Sequence, residues 1–328
     1  MRALVTGATG FIGRRLVDRL LSLGIEVAAL TRQASHGLPS QVKVFPGDLR
    51  TREFMHCVQG SYERLYHCAA LISFEPARRD ELFAVNVQGT RHVLEAARQW
   101  NTERTVVVSS ACTIGFSFSP GTELDEHATL APGLLKGNPY LESKWIMEQE
   151  VYEKASSHHI TIVNPTTVYG PGDRTLNSGT LLCAVARSPF VAVPPGGSNV
   201  VDVDDVVDGI IAAGERGNTG SRYILGGSNL PFCDIIGTAA EVTGHSPLRI
   251  PLPSLARVPA GIAARAAAFF LSNNRFITPS LVEGMFAYKY YSSNRARSDL
   301  QWTPQYSFRE SAERAWVYYQ KEGFCRGK

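Results

Sequence analysis

Within the first 25 residues an apolar run, Arg2–Thr6 ("RALVT"), stops at a glycine. Three glycines then recur at intervals of three, Gly7, Gly10 and Gly13 in "VTGATGFIG". Behind them Phe11, Ile12, Leu16, Leu20 and Leu23 keep a helical spacing up to Gly24. A strand that turns through glycines into a helix constrains the fold more than any other feature of the chain. Such a turn is tight, lets something approach the backbone closely, and aims the free N–H groups of the helix start at it. The spacing differs from the commoner G-x-G-x-x-G. With a strand before it and a helix after it, it suits a dinucleotide pyrophosphate better than a purely structural turn. Gly7, Thr9, Gly10, Phe11, Ile12 and Gly13 are the candidate contacts.

The alternation continues. Strands are predicted at Glu26–Leu30, Val42–Phe45, Arg64–Cys68, Arg104–Ser109 and Thr161–Asn164, and helices at Phe11–Leu23, Arg78–Trp100 and Pro139–Ser156. Strand-helix alternation implies an α/β fold, a doubly wound parallel sheet of the Rossmann kind with helices on both faces. Residues 170–200, rich in glycine and proline, read as loops; Asp202–Gly214 reads as a helix with an acidic start. Beyond residue 231 come short helices broken by proline. The reading is a dinucleotide-binding domain over 1–170 plus about 200–228. A smaller, mostly C-terminal substrate-binding region spans 171–199 plus 229–328.

The end of the second strand reads "AALTR". An acid there would bond the adenosine ribose and favour NAD. Thr31 stands in its place and Arg32 follows. A guanidinium suits a 2′-phosphate through bidentate charge-assisted bonds, so NADPH is expected over NADH, with Arg14 and Arg15 as possible helpers. The alternative for Arg32 is a solvated surface charge.

In "NPYLESK" a tyrosine and a lysine stand four apart, Tyr140 and Lys144, on one helix face. Pro139 suits the first helical position and Asn138 the N-cap. A phenol alone is a poor acid–base catalyst near neutrality, and a neighbouring ammonium lowers its pKa. An ordinary helix with an interfacial tyrosine and a snorkelling lysine has the same spacing. The order tips the balance: "VVVSSA" ends a strand at Ser109–Ser110, where α/β sheets build their sites.

Together with "GDL" (Gly47–Leu49), "HCAA" (His67–Ala70), "NVQGT" (Asn86–Thr90) and "NPTTVYGPGD" (Asn164–Asp173), these motifs resemble the short-chain dehydrogenase/reductase superfamily in its extended branch. "VDVDDV" (Val201–Val206) and "RYILGG" (Arg222–Gly227) extend the resemblance over nearly the whole chain. It implies Tyr140 as proton donor in reduction, or base in oxidation. Lys144 would tune Tyr140 and hold the nicotinamide ribose, and Ser110 would bond the substrate oxygen, with Thr113 as a substitute. It places Asp48 and Leu49 at the adenine, Ala69 and Ala70 at the sugars and phosphates, Ser109 next to the site, and Pro165 at the nicotinamide. Asn86 would sit on the helix beside the site.

Nucleotide-sugar members commonly carry Asn where this chain has Thr167, and Arg where it has Ser198. Both departures count against a diphosphate-bearing substrate, although Arg174 could substitute. The resemblance is therefore closer to dihydroflavonol reductase-like and 3β-hydroxysteroid dehydrogenase-like proteins. An NADPH-dependent oxidoreductase reducing a ketone or aldehyde of a small or apolar substrate is expected. Its rivals are an NAD-dependent nucleotide-sugar epimerase/dehydratase and a non-catalytic dinucleotide sensor. Phe116, Phe118 and Thr167 are candidate substrate contacts, and residues 255–271 read as an apolar helix that could pack the core, wall the pocket or lie on a membrane surface.

Composition excludes little else. The net charge of +3 and the lack of a basic, aromatic-interleaved run argue against nucleic acid. The six cysteines are scattered without metal spacing, which suits a reducing compartment and no metal. No apolar run reaches membrane length and the chain enters a strand at once, so a cytoplasmic protein without an integral membrane segment is expected. The resemblance implies a homodimer through Arg78–Trp100 and Pro139–Ser156.

Overall fold

A computed structural model describes the chain except residues 33–36, 136, 156–157, 260, 263–281, 283 and 326–328. The strands of the main sheet are β1 (Arg2–Thr6), β2 (Glu26–Thr31), β3 (Lys43–Pro46), β4 (Arg64–His67), β5 (Arg104–Val108), β6 (Ile160–Pro165) and β10 (Arg222–Leu225). They run in the order β10-β6-β5-β4-β1-β2-β3, and every pairing is parallel. This is the doubly wound Rossmann sheet. Its strands read as continuous apolar runs because both faces are covered. On one face α1 (Phe11–Ser22) and α7 (Val203–Arg216) bury Leu16, Val17, Leu20, Val206, Val207 and Ile210 against Ala3 and Val5. On the other, α4 (Gly89–Gln99) and α5 (Pro139–Lys154) bury Val93, Ala96, Met147 and Val151. Short α2 (Phe54–Cys57) and α3 (Arg79–Leu82) lie between.

The predicted helix over Arg78–Trp100 is not continuous. Between α3 and α4 the chain makes a π-helical turn, Phe83–Gln88. Asn86 lies in it, fully buried, and its amide bonds both backbone groups of Leu71 (2.7 and 3.0 Å) and the Ser143 hydroxyl (3.0 Å). The widened turn brings Asn86 to the loop after β4, a tertiary demand that helical periodicity does not reveal.

The region expected as loops, 170–200, also differs. It holds α6 (Gly179–Arg187), β8 (Phe190–Val193) and β9 (Gly197–Asp202). Their Gly and Pro neighbours mask short elements that form only against partners. β9 pairs with β7 (Thr167–Tyr169), β11 (Ser228–Pro231) and β13 (Tyr288–Lys289), and β8 pairs with β12 (Leu248–Pro251). Helices α6, α8 (Phe232–Thr243) and α10 (Phe308–Lys321) share a second core around Leu182, Ile235 and Ala312, and α9 (Asn294–Leu300) packs on α7. The cysteines are not all single: Cys183 and Cys325, 142 residues apart, form a disulfide between α6 and the C-terminal end. Most of the apolar segment 255–271 lies outside the described residues. No helix among the described residues is long and apolar enough to cross a membrane.

Candidate active site

The glycine loop turns at Gly7, whose φ of +69° is the left-handed region that favours glycine. A Cβ there would meet the Ala69 nitrogen at 2.5 Å, and one on Gly13 would meet the Gly7 carbonyl oxygen at 2.1 Å. The loop is thereby pressed onto the chain leaving β4. Gly10 begins α1 with no side-chain cap, so the first amides of the helix keep their free N–H groups. Thr9 and Gly10 face a cleft bordered by Arg32 and Arg174, while the Phe11 ring lies beside Gly172 and Ile12 packs on the core. The Ser109 hydroxyl is buried and unbonded among the described residues. A glycine cradle, an uncapped helix start and an orphaned hydroxyl fit a dinucleotide.

The cationic rim divides in two. Arg15 is taken by Asp204 (2.7 Å) and Arg14 pairs with Asp18 (3.2 Å). Arg32, at the end of β2, is exposed, and neither it nor Arg174 pairs with a carboxylate among the described residues. Arg174, considered above as a diphosphate contact, therefore borders the glycine loop instead of the substrate cleft. The Asp48 carboxylate is held by Arg50 (2.9 Å), which keeps it below the usual carboxylate range. Leu49 is buried, and its carbonyl accepts a bond from His92 (2.8 Å).

Behind the loop runs a buried relay. The Ala69 N–H reaches the Thr6 hydroxyl (3.4 Å), Thr6 meets His67 Nδ1 (2.7 Å), and His67 Nε2 meets Thr90 (2.9 Å). Thr90 in turn donates to the Asn86 carbonyl (2.7 Å). That donation leaves Thr90 to accept from Nε2–H, which sets the tautomer, and burial, lowering the His67 pKa to about 3, keeps the ring neutral. The relay and the Asn86 amide lock Ala69, exposed Ala70 and Leu71 to the π turn and to α5.

Asn138 caps α5 through the Leu141 N–H (3.1 Å), with Pro139 at the first helical position. Tyr140 thus emerges one turn into the helix, and Lys144 lies on the same face below it. Lys144 is 2% exposed, and its ammonium donates to the Val108 carbonyl at the end of β5 (3.0 Å). Burial pushes it down to about 8. The half-buried Tyr140 phenol is pushed up by desolvation, and the neighbouring Ser110 hydroxyl opposes the rise. Lys144 keeps its charge below this phenol, anchored on the Val108 carbonyl.

Tyr140 and Ser110 open into a cleft of ≈ 250 Å³. Phe116, Pro165 and Thr167 also line it. Thr113 does not: its hydroxyl bonds the buried Glu148 carboxylate (2.8 Å) and the Ser110 carbonyl (2.9 Å). Asn86 is likewise behind the wall. Phe118 is exposed under the Arg257 guanidinium, 4.2 Å from its ring centre. The cleft adds residues the sequence did not single out: Phe74, edge-on to Tyr140 at 5.7 Å, and Cys112, Lys289 and Tyr291. No motif marks them; only the "SSA" and "YLESK" neighbours of Cys112 and Phe74 hint at the place.

A family model described as the NAD dependent epimerase/dehydratase family matches residues 3–226, from β1 to the end of the parallel sheet. The chain belongs to this family. Within it, the chain is 36% identical over 270 residues to sterol demethylase protein B of Methylococcus capsulatus, covering 80% of each. It is 26% identical to the human sterol-4-alpha-carboxylate 3-dehydrogenase, decarboxylating, over 95% of this chain and 87% of that one. The crystal structure of gox2253 superposes with a TM-score of 0.86 at 27% identity, covering 99% of both chains. This epimerase/dehydratase-family member is an NAD(P)-dependent oxidoreductase of the extended short-chain type.

Proposed function

We propose that the enzyme interconverts a ketone and a secondary alcohol on an apolar substrate, with NADPH as partner and Tyr140 exchanging the proton. The observation that carries this is the convergence of Tyr140 and Ser110 on one cleft, with the Lys144 ammonium fixed beneath by Val108. Gly7, Gly10 and Gly13 would hold the pyrophosphate, Ser109 the sugar region, and Arg32 with Arg174 the 2′-phosphate. When bound, the nicotinamide supplies or accepts the hydride. The chain's own groups do the rest. A phenol raised by burial stays protonated at neutral pH and can donate to a substrate oxygen. Ser110 steadies that oxygen as charge develops on it. Phe74, Phe116 and Leu141 exclude water and match an apolar body. The names of the two sterol-directed relatives support a bulky alicyclic alcohol or ketone as the substrate class.

The test is calorimetric titration with NADPH and NADH, alongside Arg32→Ala. NADPH should bind at least ~10-fold tighter, a gap of about 1.4 kcal/mol, and Arg32→Ala should erase it. Tighter NADH binding, or co-purified NAD, would turn the reading to a hydride-returning epimerase.

A further inference from the structure

We propose that Lys289 seats a carboxylate on the substrate, so that the molecule turned over is a hydroxy or keto acid with an otherwise apolar body. The inference rests on reading the Tyr140 cleft as the substrate site. Lys289 lines that cleft with Tyr140 and Ser110, and it is the single charged side chain among the described lining residues. Its strand is held firmly. Tyr288 and Ser117 exchange backbone bonds of 2.7 and 3.0 Å, and Lys289 pairs in register with Ser198 on β9. The side chain is therefore placed by the sheet.

A structural lysine at a cleft normally runs its ammonium out to water or onto a carboxylate. Here the group lies partly buried, and no acceptor bonds it among the described residues. Its walls include Phe116, Tyr291 and Leu141. Burial lowers its pKa, as desolvation of an ammonium does. Gly284 packs closely on it: a Cβ there would stand 3.2 Å from the Lys289 ammonium, so an added methyl would crowd it. An unpaired charge in an apolar cleft is costly unless a ligand pairs it.

The charge count chooses the ligand. One ammonium, beside the neutral Thr167–Ser198 hydroxyl pair, suits a single negative charge. A diphosphate would bring two or more charges to a cleft whose lining residues offer only this cation. A carboxylate matches, and phenyl and alicyclic bodies match the walls.

The experiment uses two ketones, 4-oxocyclohexanecarboxylate and 3-(4-acetylphenyl)propanoate, each paired with its methyl ester. Binding to the NADPH-saturated enzyme is measured by calorimetry, and reduction by NADPH absorbance. Each acid should bind at least ~10-fold tighter than its ester, and added salt should narrow the gap. Lys289→Met should bring the acid-to-ester ratio close to one, and Lys289→Arg should keep most of it. Gly284→Ala, which crowds the ammonium without removing it, should shrink the ratio and guards against a misfolded Lys289→Met. Equal binding of acid and ester by the wild type, or an intact preference in Lys289→Met, overturns the proposal. Acid preference without reduction of either ketone upholds the anion seat and overturns the reductase reading. Equal reduction of both members does the reverse.

Discussion

The hydroxyls of Thr167 and Ser198 hydrogen-bond to each other at 2.7 Å, joining β7 to β9 where Thr167 lines the Tyr140 cleft. These are the two positions where resemblance to nucleotide-sugar enzymes would call for an amide and a guanidinium. The departures are therefore one coupled unit: one hydroxyl donates to the other, and the Ser198 hydroxyl also lies 3.3 Å from the Asn199 carbonyl oxygen. A cycle of Thr167→Val, Ser198→Ala and the double variant should give a coupling of about 1 kcal/mol in chemical denaturation. Additive effects would mean that the two hydroxyls do not support one another.

Tyr140→Phe removes the phenolic proton and keeps the ring against Phe74. Turnover should fall ~10²-fold or more while NADPH affinity stays within about twofold. A variant with wild-type turnover would take Tyr140 out of the reaction.

Lys144 carries a pH dependence of definite sign. Its folded pKa of about 8 lies below the ordinary 10.5. Between these values the unfolded chain binds the extra proton, so this group makes stability rise with pH across that window. The full penalty is present below pH 8. Lys144→Met should therefore be more stable than the wild type at pH 7, relative to its value at pH 10.5, by about 3 kcal/mol. Parallel denaturation curves for the two proteins from pH 7 to 10.5 would exclude the buried, desolvated ammonium.

Asn86→Ala strands the Leu71 N–H and carbonyl together with the Ser143 hydroxyl. A loss of about 2–4 kcal/mol is expected, being more than one bond. Because Leu71 follows Ala69 and Ala70, cofactor affinity should fall as well. Hydrogen exchange at the Leu71 amide reads the effect directly; unaltered protection there would show that the π turn holds the loop by other means.

The parallel sheet was legible because strands covered on both faces carry unbroken apolar runs. β1 lies where its residues predict, and β2 to β6 end within a residue or two; β10, an edge strand of four residues, was not predicted. The Asn138–Pro139 start of α5 was legible for a local reason, since cap and first turn are adjacent in sequence. The π turn was not: "FAVNVQ" has helical composition, and what widens it is the Leu71 backbone, brought there by β4. Lys289 was invisible for a similar reason. Its strand spans two residues, too short for any periodicity, and it meets Ser198 and Tyr140 only after the chain returns from the second core. Cys183 and Cys325 give no sign of each other across so long a separation.

The pairing of α1 with α7 sets an order for synthesis. Arg15 and Asp204, 189 residues apart, clasp these helices, and Leu16 and Leu20 share their cluster with Val206 and Ile210. A ribosome adding ~5–20 residues per second reaches α7 roughly 10–40 s after α1. Throughout that interval the first helix has strands β1 and β2 but not α7 against its apolar side, and the edge strand β10 is still unmade. The glycine loop is thus complete as sequence well before α7 is made to hold α1 behind it. A nascent chain stalled before residue 203 would bind trigger-type holdases, and one stalled well past residue 225, with β10 clear of the exit tunnel, would already retain nucleotide.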